Sequence, residues 1–349
     1  MNTQSQHELY MHRCIQLASQ AAGHTAPNPM VGAVIVHDGK IIGEGYHHRC
    51  GEPHAEVNAI ASVKDESLLK DSTIYVNLEP CAHYGKTPPC CDLIIAKGIP
   101  HVVVGTLDPH DKVAGKGIER MRAHGINVEV GFCQEECLKL NRRFFTFQTK
   151  KRPFILLKWA QSMDGFIDYT RSDGQNPPVK ISTPITKALN HQIRTQEAAI
   201  LVGTNTAVLD NPHLTVTKWH GNNPVRLVVD RTLRVPQNSR IFDSAAPTVV
   251  FTEKDVEDYD NISFEHINFK KNIVPQILDY LYQHNLLSLI VEGGSQLLQA
   301  FIDGGHWDEC HVEVAPCVLG NGVASPHFPS QPQRAERFGQ NTMFYYFND

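Results

Sequence analysis

His54, Glu56, Cys81 and Cys90 are the residues of this chain whose types and spacing could do chemistry. One imidazole and two thiolates form the ligand set of a catalytic zinc that keeps its fourth position for water. Glu56, two residues from His54, is near enough to handle protons without being a ligand itself. A lone His or Cys is more often a buried side chain, and a closed structural zinc site needs a fourth protein ligand and no adjacent glutamate. The surrounding pattern favours the catalytic reading. Residues 31–37 read as an apolar strand, and 41–46 as a second strand after the turn-forming His37-Asp38-Gly39. His54 then opens a helix, 73–78 is another strand, and Cys90 opens a helix through Lys97. The histidine thus sits at one helix N-terminus and the two cysteines bracket the entry to another, where partial positive charge helps to hold thiolates.

His54-Ala55-Glu56 followed by Pro80-Cys81 resembles the pattern of zinc-dependent nucleobase deaminases, in which zinc lowers the pKa of a water and the glutamate shuttles its proton. The resemblance points to hydrolysis of an amino group from a ring. Two residues usually separate the cysteines of that pattern. Here residues 82–89 lie between Cys81 and Cys90, and Cys91 is also available, so spacing alone leaves the third ligand open. Lys86, in this insert at the mouth of the site, could reach an anionic group or simply be a solvated loop lysine. Pro27-Asn28-Pro29-Met30-Val31-Gly32, Gly43-Glu44-Gly45-Tyr46-His47, Gly51-Glu52-Pro53-His54-Ala55-Glu56 and Leu78-Glu79-Pro80-Cys81, with Thr87-Pro88-Pro89-Cys90-Cys91, together resemble the bifunctional riboflavin-biosynthesis deaminase–reductases. That resemblance implies a cytidine-deaminase-like three-layer α/β/α domain and makes Cys90, not Cys91, the third ligand. It also implies substrate contacts from Asn28, His47 and Lys86.

At 349 residues the chain exceeds the usual size of one domain and can bury two ordinary cores. The net charge of −5, with no long basic run, argues against a nucleic-acid binder that works by neutralising phosphates. Nine cysteines, an odd number, do not resemble a secreted disulfide framework. The N-terminus carries His7, Glu8, His12 and Arg13 in an amphipathic pattern rather than a basic stretch followed by an apolar one. No apolar run is long enough to span a membrane. A cytoplasmic enzyme is expected, with no nucleic-acid or membrane partner and with room for a homo-oligomer. Beyond the zinc loop, 101–105 and 127–130 read as strands, and 115–124 and 135–148 as helices. This alternation implies a layered α/β domain with a mostly parallel sheet. A basic, proline-terminated stretch at 149–153 then reads as a linker, giving domains at 1–149 and 150–349.

The second half opens on a strand at 154–160 containing Lys158, costly unless its ammonium reaches solvent or a polar site. Further on, Leu289-Ile290-Val291-Glu292-Gly293-Gly294-Ser295, then Leu297, Leu298 and Phe301, read as strand, glycine turn and helix, a start whose free N–H groups suit a phosphate. The same family resemblance joins the deaminase to a dihydrofolate-reductase-like α/β domain that uses NADPH. It rests on Lys158 to Gly165, on the run Leu201-Val202-Gly203-Thr204-Asn205-Thr206 through Asp210-Asn211-Pro212-His213-Leu214-Thr215, and on the late glycine turn. Carried over residue by residue, it implies NADPH contacts from Ala160, Thr206, Asp210, Gly294, Ser295, Gln296 and Leu297. It implies substrate contacts from Arg194, Leu214 and Glu292, with Arg194 as a phosphate partner. Lys158 and Asp210 are the candidates for polarising or protonating the sugar where its ring opens; Asp210 also suits a plain turn before Asn211-Pro212.

The chain departs from the family pattern at Val179-Lys180-Ile181-Ser182, where many members have a tryptophan, at Thr217-Lys218, where many have an arginine, and in the loop 171–178. The expectation is therefore a bifunctional enzyme of riboflavin biosynthesis. Zinc at His54, Cys81 and Cys90, with Glu56, removes the C2 amino group of a diaminopyrimidinone carrying a ribosylamino phosphate. NADPH then reduces the ribosyl group to ribityl. The alternative is a deaminase, on the same or another nucleobase, with an inactive or altered C-terminal half.

Overall fold

Burial decides the first sheet. Strand β1 (Gly32–His37) is covered on both faces, as its continuous apolar run Ala33-Val34-Ile35-Val36 requires. The turn Asp38-Gly39, with both residues at positive φ, returns the chain into β2 (Lys40–Tyr46). This computed structural model describes residues 3–84, 88–109 and 114–348, and the chain divides into two units, Met1–Lys151 and Arg152–Asp349.

The first unit also contains α1 (Thr3–Ser19), α2 (Ala55–Ala61), β3 (Thr73–Leu78), α3 (Cys90–Lys97), β4 (His101–Thr106), α4 (Lys116–Ala123), β5 (Asn127–Val130), α5 (Gln134–Leu140) and α6 (Arg142–Lys150). Its five strands run in the order β2-β1-β3-β4-β5. β3, β4 and β5 are parallel, but β1 is antiparallel to both of its neighbours. The expected mostly parallel sheet is thus half antiparallel, because the tight β1–β2 turn leaves no crossover. Alternate residues of β1 face opposite cores. Ala33 and Ile35 pack with Ala59, Ile60, Ile94 and Met121 of α2, α3 and α4, whereas Val34 and Val36 pack with Met11, Cys14 and Leu17 of α1. Three layers result. The helix expected over 135–148 is two helices, α5 and α6, broken at Asn141, whose backbone leaves the helical region.

The second unit contains β6 (Phe154–Ser162), β7 (Phe166–Asp168), α7 (Pro184–Arg194), β8 (Ala199–Gly203), α8 (Thr204–Asp210), β9 (Val225–Val229), β10 (Thr248–Thr252), β11 (Ile262–His266), α9 (Ile273–Gln283), β12 (Ser288–Gly293), α10 (Ser295–Asp303), β13 (Glu309–Ala315), β14 (Val323–Ala324), β15 (Arg334–Phe338) and β16 (Asn341–Phe347). Its nine-stranded sheet has the order β11-β10-β9-β8-β12-β6-β13-β16-β15. It is parallel from β11 to β13, and β16 and β15 close it with antiparallel pairings. Ile155, Leu157 and Trp159 of β6 pack with the apolar faces of α9 and α10, and Phe154 and Leu156 pack on the other face with Ala207 and Ile241. The carboxyl ends of β9, β8, β12 and β6 lie side by side, the place where parallel sheets bind ligands.

The helix that carries Glu56 sits close to β2 because two glycines let it. A Cβ on Gly45 would lie 2.4 Å from the amide nitrogen of Ala59, and one on Gly43 would lie 2.6 Å from the Ala59 carbonyl oxygen. Both obstacles are backbone, so α2 itself would have to move. Gly45→Ala is expected to destabilise the protein by about 1–3 kcal/mol, read as a lower melting temperature. An unchanged melting temperature would show that α2 tolerates displacement.

Candidate functional site

Two helix starts bring the metal-ligating types together. His54 is the N-cap residue of α2, and Cys90 is the first residue of α3, preceded by Pro89. His54 Nδ1 lies 3.6 Å from Cys81 Sγ and 3.3 Å from Cys90 Sγ. Tetrahedral zinc with bonds of about 2.1 Å to nitrogen and 2.3 Å to sulfur gives N···S edges of about 3.6 Å, so the geometry fits that ion. Among the described residues these three are the one group of His, Cys, Asp or Glu that could hold a metal, with all three donor atoms within 4.8 Å of one another. The amide of Cys90 donates to Cys81 Sγ at 3.3 Å, so the start of α3 stabilises a thiolate directly.

The electrostatics ask for a cation. A hydrogen bond from the Cys90 thiol, aided by His54, holds Cys81 below the ordinary thiol range, while that bond and burial push Cys90 well above it. Two sulfurs this close share one proton unless a metal lets both ionise. Glu56, in the first turn of α2, is 3 % exposed, and burial, with Cys81 next, pushes its carboxyl up to about 7. A carboxyl in that range can both take and give a proton near neutrality. Cys91 faces elsewhere: it lies in the apolar core with Ile94 and Met121, its thiol donates to Asp92 Oδ1 at 3.7 Å, and burial raises it to about 11.

His47 and Asn28, both expected at the substrate, meet each other beside the metal ligands. The His47 ring packs edge-on against His54 at 5.4 Å. Its Nδ1 donates to the Pro53 carbonyl at 3.1 Å, so its Nε2 accepts from Asn28 Nδ2, also at 3.1 Å. Burial lowers its pKa, which keeps the ring neutral. Lys86 lies outside the described residues.

Three supports were not read from the sequence. Asn77 and Asn141 hold the backbone of the segment bearing Asn28: Asn141 Oδ1 accepts from Met30 N at 2.8 Å, its Nδ2 donates to Met30 O at 2.8 Å, and Asn77 Oδ1 accepts from Gly32 N at 2.8 Å. An asparagine inside a helical pattern is the trace that could have revealed the break. Glu79, just before Pro80-Cys81, accepts from Gly115 N at 2.9 Å and Gly117 N at 3.0 Å, fastening the start of α4. α4 is tied in turn to α3 by Arg120 and Asp92 at 2.8 Å.

In the second unit a cavity of about 680 Å³ opens at the carboxyl ends of the parallel strands. Lys158, Ala160, Thr206, Asp210, Glu292, Gly294, Ser295, Gln296 and Leu297 all line it. Gly294 has φ +80, and a Cβ on Gly293 would lie 2.8 Å from Thr206, so the turn between β12 and α10 is open to a ligand only as glycine. The α10 start carries no side-chain cap, leaving its N–H groups for an acceptor. These features fit a dinucleotide phosphate.

Lys158 is buried, and burial lowers its pKa despite the nearby carboxylates of Glu292 and Glu313. Burial alone would raise Glu292, but Arg194 and Lys158 outweigh it and hold it ionised. Arg194 does not line the cavity. It grips Glu292 with two bonds, of 2.9 and 2.6 Å, and reaches the Thr215 carbonyl at 3.1 Å. Leu214 does not line it either; its side chain is in the apolar core with Ile200 and Val228. The loop 171–178, which departs from the family pattern, contributes Arg171, whose guanidinium clamps both Asp168 and Asp210. Burial raises Asp210 even against that pairing. Lys180, Thr217 and Lys218 are exposed and lie away from the cavity wall.

Residues 4–106 match the cytidine and deoxycytidylate deaminase zinc-binding region, and residues 153–344 match the RibD C-terminal domain. The riboflavin biosynthesis protein RibD of Aquifex aeolicus is 41% identical over 320 residues, which cover 90% of this chain and 88% of that protein. The RibD of Escherichia coli is 36% identical over 336 residues, covering 90% and 89%. The crystal structure of a diaminohydroxyphosphoribosylaminopyrimidine deaminase/5-amino-6-(5-phosphoribosylamino)uracil reductase from Thermotoga maritima matches with a TM-score of 0.89 and 37% identity over 99% of both chains. Acinetobacter baumannii RibD matches with a TM-score of 0.87 and 29% identity, also over 99% of both.

Removing one sulfur should separate the two adjacent cysteines. Cys90→Ala is expected to abolish stoichiometric zinc, measured by elemental analysis of purified protein, and Cys91→Ala to leave it bound. The reverse pattern would move the ligand to Cys91.

Proposed function

The chain belongs to the family of bifunctional riboflavin-biosynthesis deaminase–reductases, and from that premise we propose which of its residues perform each reaction. It is a zinc-dependent deaminase and an NADPH-dependent reductase. We assign deamination to residues 1–149 and reduction to residues 150–349. The substrate in this reading is 2,5-diamino-6-(5-phosphoribosylamino)pyrimidin-4(3H)-one, and the compartment is the cytoplasm, which suits nine unpaired cysteines.

In the first reaction His54, Cys81 and Cys90 hold the zinc, whose chemistry when bound is to acidify a water. Glu56 takes a proton from the attacking water as oxygen bonds to C2. It then gives that proton to the departing nitrogen, the C2–N bond breaks and ammonia leaves, while the second water proton ends on the ring nitrogen formerly double-bonded to C2, so that a uracil ring remains. His47, neutral and fixed by Pro53, and Asn28 beside it orient the pyrimidine edge. Glu79 keeps the Cys81 end of the site in register with α4.

When bound, NADPH would supply the hydride that the second reaction needs. Thr206, Asp210 and residues 294–297 cradle the cofactor around the uncapped start of α10, and Ala160 lies beside it. Lys158 gives its proton to the sugar oxygen as the ring opens; its burial makes that proton easier to release. Glu292, which lines the cavity and is braced by Arg194, meets the sugar.

The observation that carries the reading is the convergence of His54, Cys81 and Cys90 in one unit while the cavity around Lys158 belongs to the other. Glu56→Ala should therefore lower ammonia release by about 100-fold or more and leave NADPH oxidation with an already deaminated substrate at the wild-type rate. If both activities fell together in the folded variant, the assignment of two independent sites would be wrong.

A further inference from the structure

Lys158 stands on β6, the strand between β12 and β13, and each neighbour brings one carboxylate to it. Glu292 of β12 lines the cavity and is held by the two bonds from Arg194. Glu313 of β13 is different. It pairs with Ala160 across the ladder, as His311 pairs with Lys158, so the strand alternation puts it on the Lys158 face of the sheet. It is 0 % exposed and does not line the cavity.

Both oxygens of Glu313 are anchored by neutral donors. Asn341 Nδ2 donates to Oε1 at 2.6 Å and also to the Ile181 carbonyl at 3.1 Å, and Ser182 Oγ donates to Oε2 at 2.6 Å. The group therefore bonds as a carboxylate, yet among the described residues it makes no direct ion pair. A buried charge is costly unless another balances it. The other charges nearby are already matched. Arg194 neutralises Glu292, His311 lies 3.3 Å from Glu309 of its own strand, and across the cavity Arg171 clamps Asp168 and Asp210. Lys158 and Glu313 are the opposite charges that remain.

We infer that Glu313 is a positioning residue of the reductase, whose buried carboxylate, fixed by Ser182 and Asn341, balances the Lys158 ammonium and keeps it charged until the sugar takes its proton. The inference rests on the assignment of Lys158 as proton donor and adds the residue behind the cavity wall that sustains it. Burial works against the ammonium, and Glu292 and then Glu313 oppose that effect. Glu313→Gln isolates the charge, because a serine hydroxyl accepts as well as donates. The glutamine can accept from Asn341 and donate to Ser182, so both anchors survive.

Two measurements on the zinc-loaded protein test the inference. One is the pH profile of kcat for NADPH oxidation with already deaminated substrate. The other needs no turnover: the rate at which acetic anhydride acylates Lys158, followed by peptide mass spectrometry, tracks the neutral amine as pH rises. Lys158 acts while protonated, so activity falls and acylation rises as pH passes through its pKa. Glu313→Gln should move both midpoints down by about one pH unit, a tenfold loss of proton affinity. Ser182→Ala keeps the carboxylate and should leave both midpoints in place. Unmoved midpoints in a folded Glu313→Gln variant would overturn the inference while the Lys158 assignment stood. If Lys158→Gln kept the wild-type rate of reduction, the Lys158 assignment would fail and this inference with it. Should the glutamine variant not fold, Glu313→Asp decides: drawing the carboxylate back by one methylene should lower both midpoints by a smaller amount, and unchanged midpoints would overturn the inference.

Discussion

Two sulfurs and an imidazole nitrogen held within 4.8 Å of one another make the constraint on which the first unit depends. Without a cation the sulfurs divide one proton, Cys81 driven down and Cys90 driven up. A metal removes that conflict, because both sulfurs can then be thiolates. The surrounding structure serves this one requirement. α2 approaches β2 over Gly43 and Gly45, α3 begins at Cys90, and Glu79 and Asp92 tie α4 to both ends of the zinc loop. Glu56 is buried by the same packing, and burial moves its carboxyl into the range useful for proton transfer.

The second unit solves a different problem with the same kind of material. Parallel strands end together, so their loops converge on one crevice without any single loop having to enclose it. Small residues at Gly203, Gly293 and Gly294 keep that crevice open, and ion pairs fix most of the charge in and behind its wall. Arg194 with Glu292 and Arg171 with Asp168 and Asp210 are buried or half-buried ion pairs, which fix geometry more than they add stability. Lys158 between carboxylates is positioned in the same way, its proton loosened by burial.

Much of the site was legible because its chemistry is local in sequence. His54 and Glu56 share a helix start, Cys90 opens another, and the strand–glycine–helix run at Glu292-Gly293-Gly294-Ser295 is contiguous, so pattern and residue type agree. What the sequence left open was tertiary. Spacing could not choose between Cys90 and Cys91; the core packing of Cys91 separates them. The antiparallel setting of β1 depends on a turn rather than on periodicity, and the break at Asn141 depends on a contact with Met30, distant in sequence. Arg171 was hidden because it lies in a loop that carries no periodic pattern and because its partner Asp210 is distant in sequence.

The central claim is that one chain performs two reactions in order, and NADPH oxidation with the undeaminated diaminopyrimidinone ribosylamine phosphate tests it most directly. The account predicts that purified zinc-loaded protein releases ammonia and then oxidises NADPH in equal amount, with both signals lost after chelation and only oxidation restored by supplying deaminated substrate. Ammonia release without any oxidation would contradict the reductase assignment, and oxidation without ammonia release would contradict the order of the two reactions.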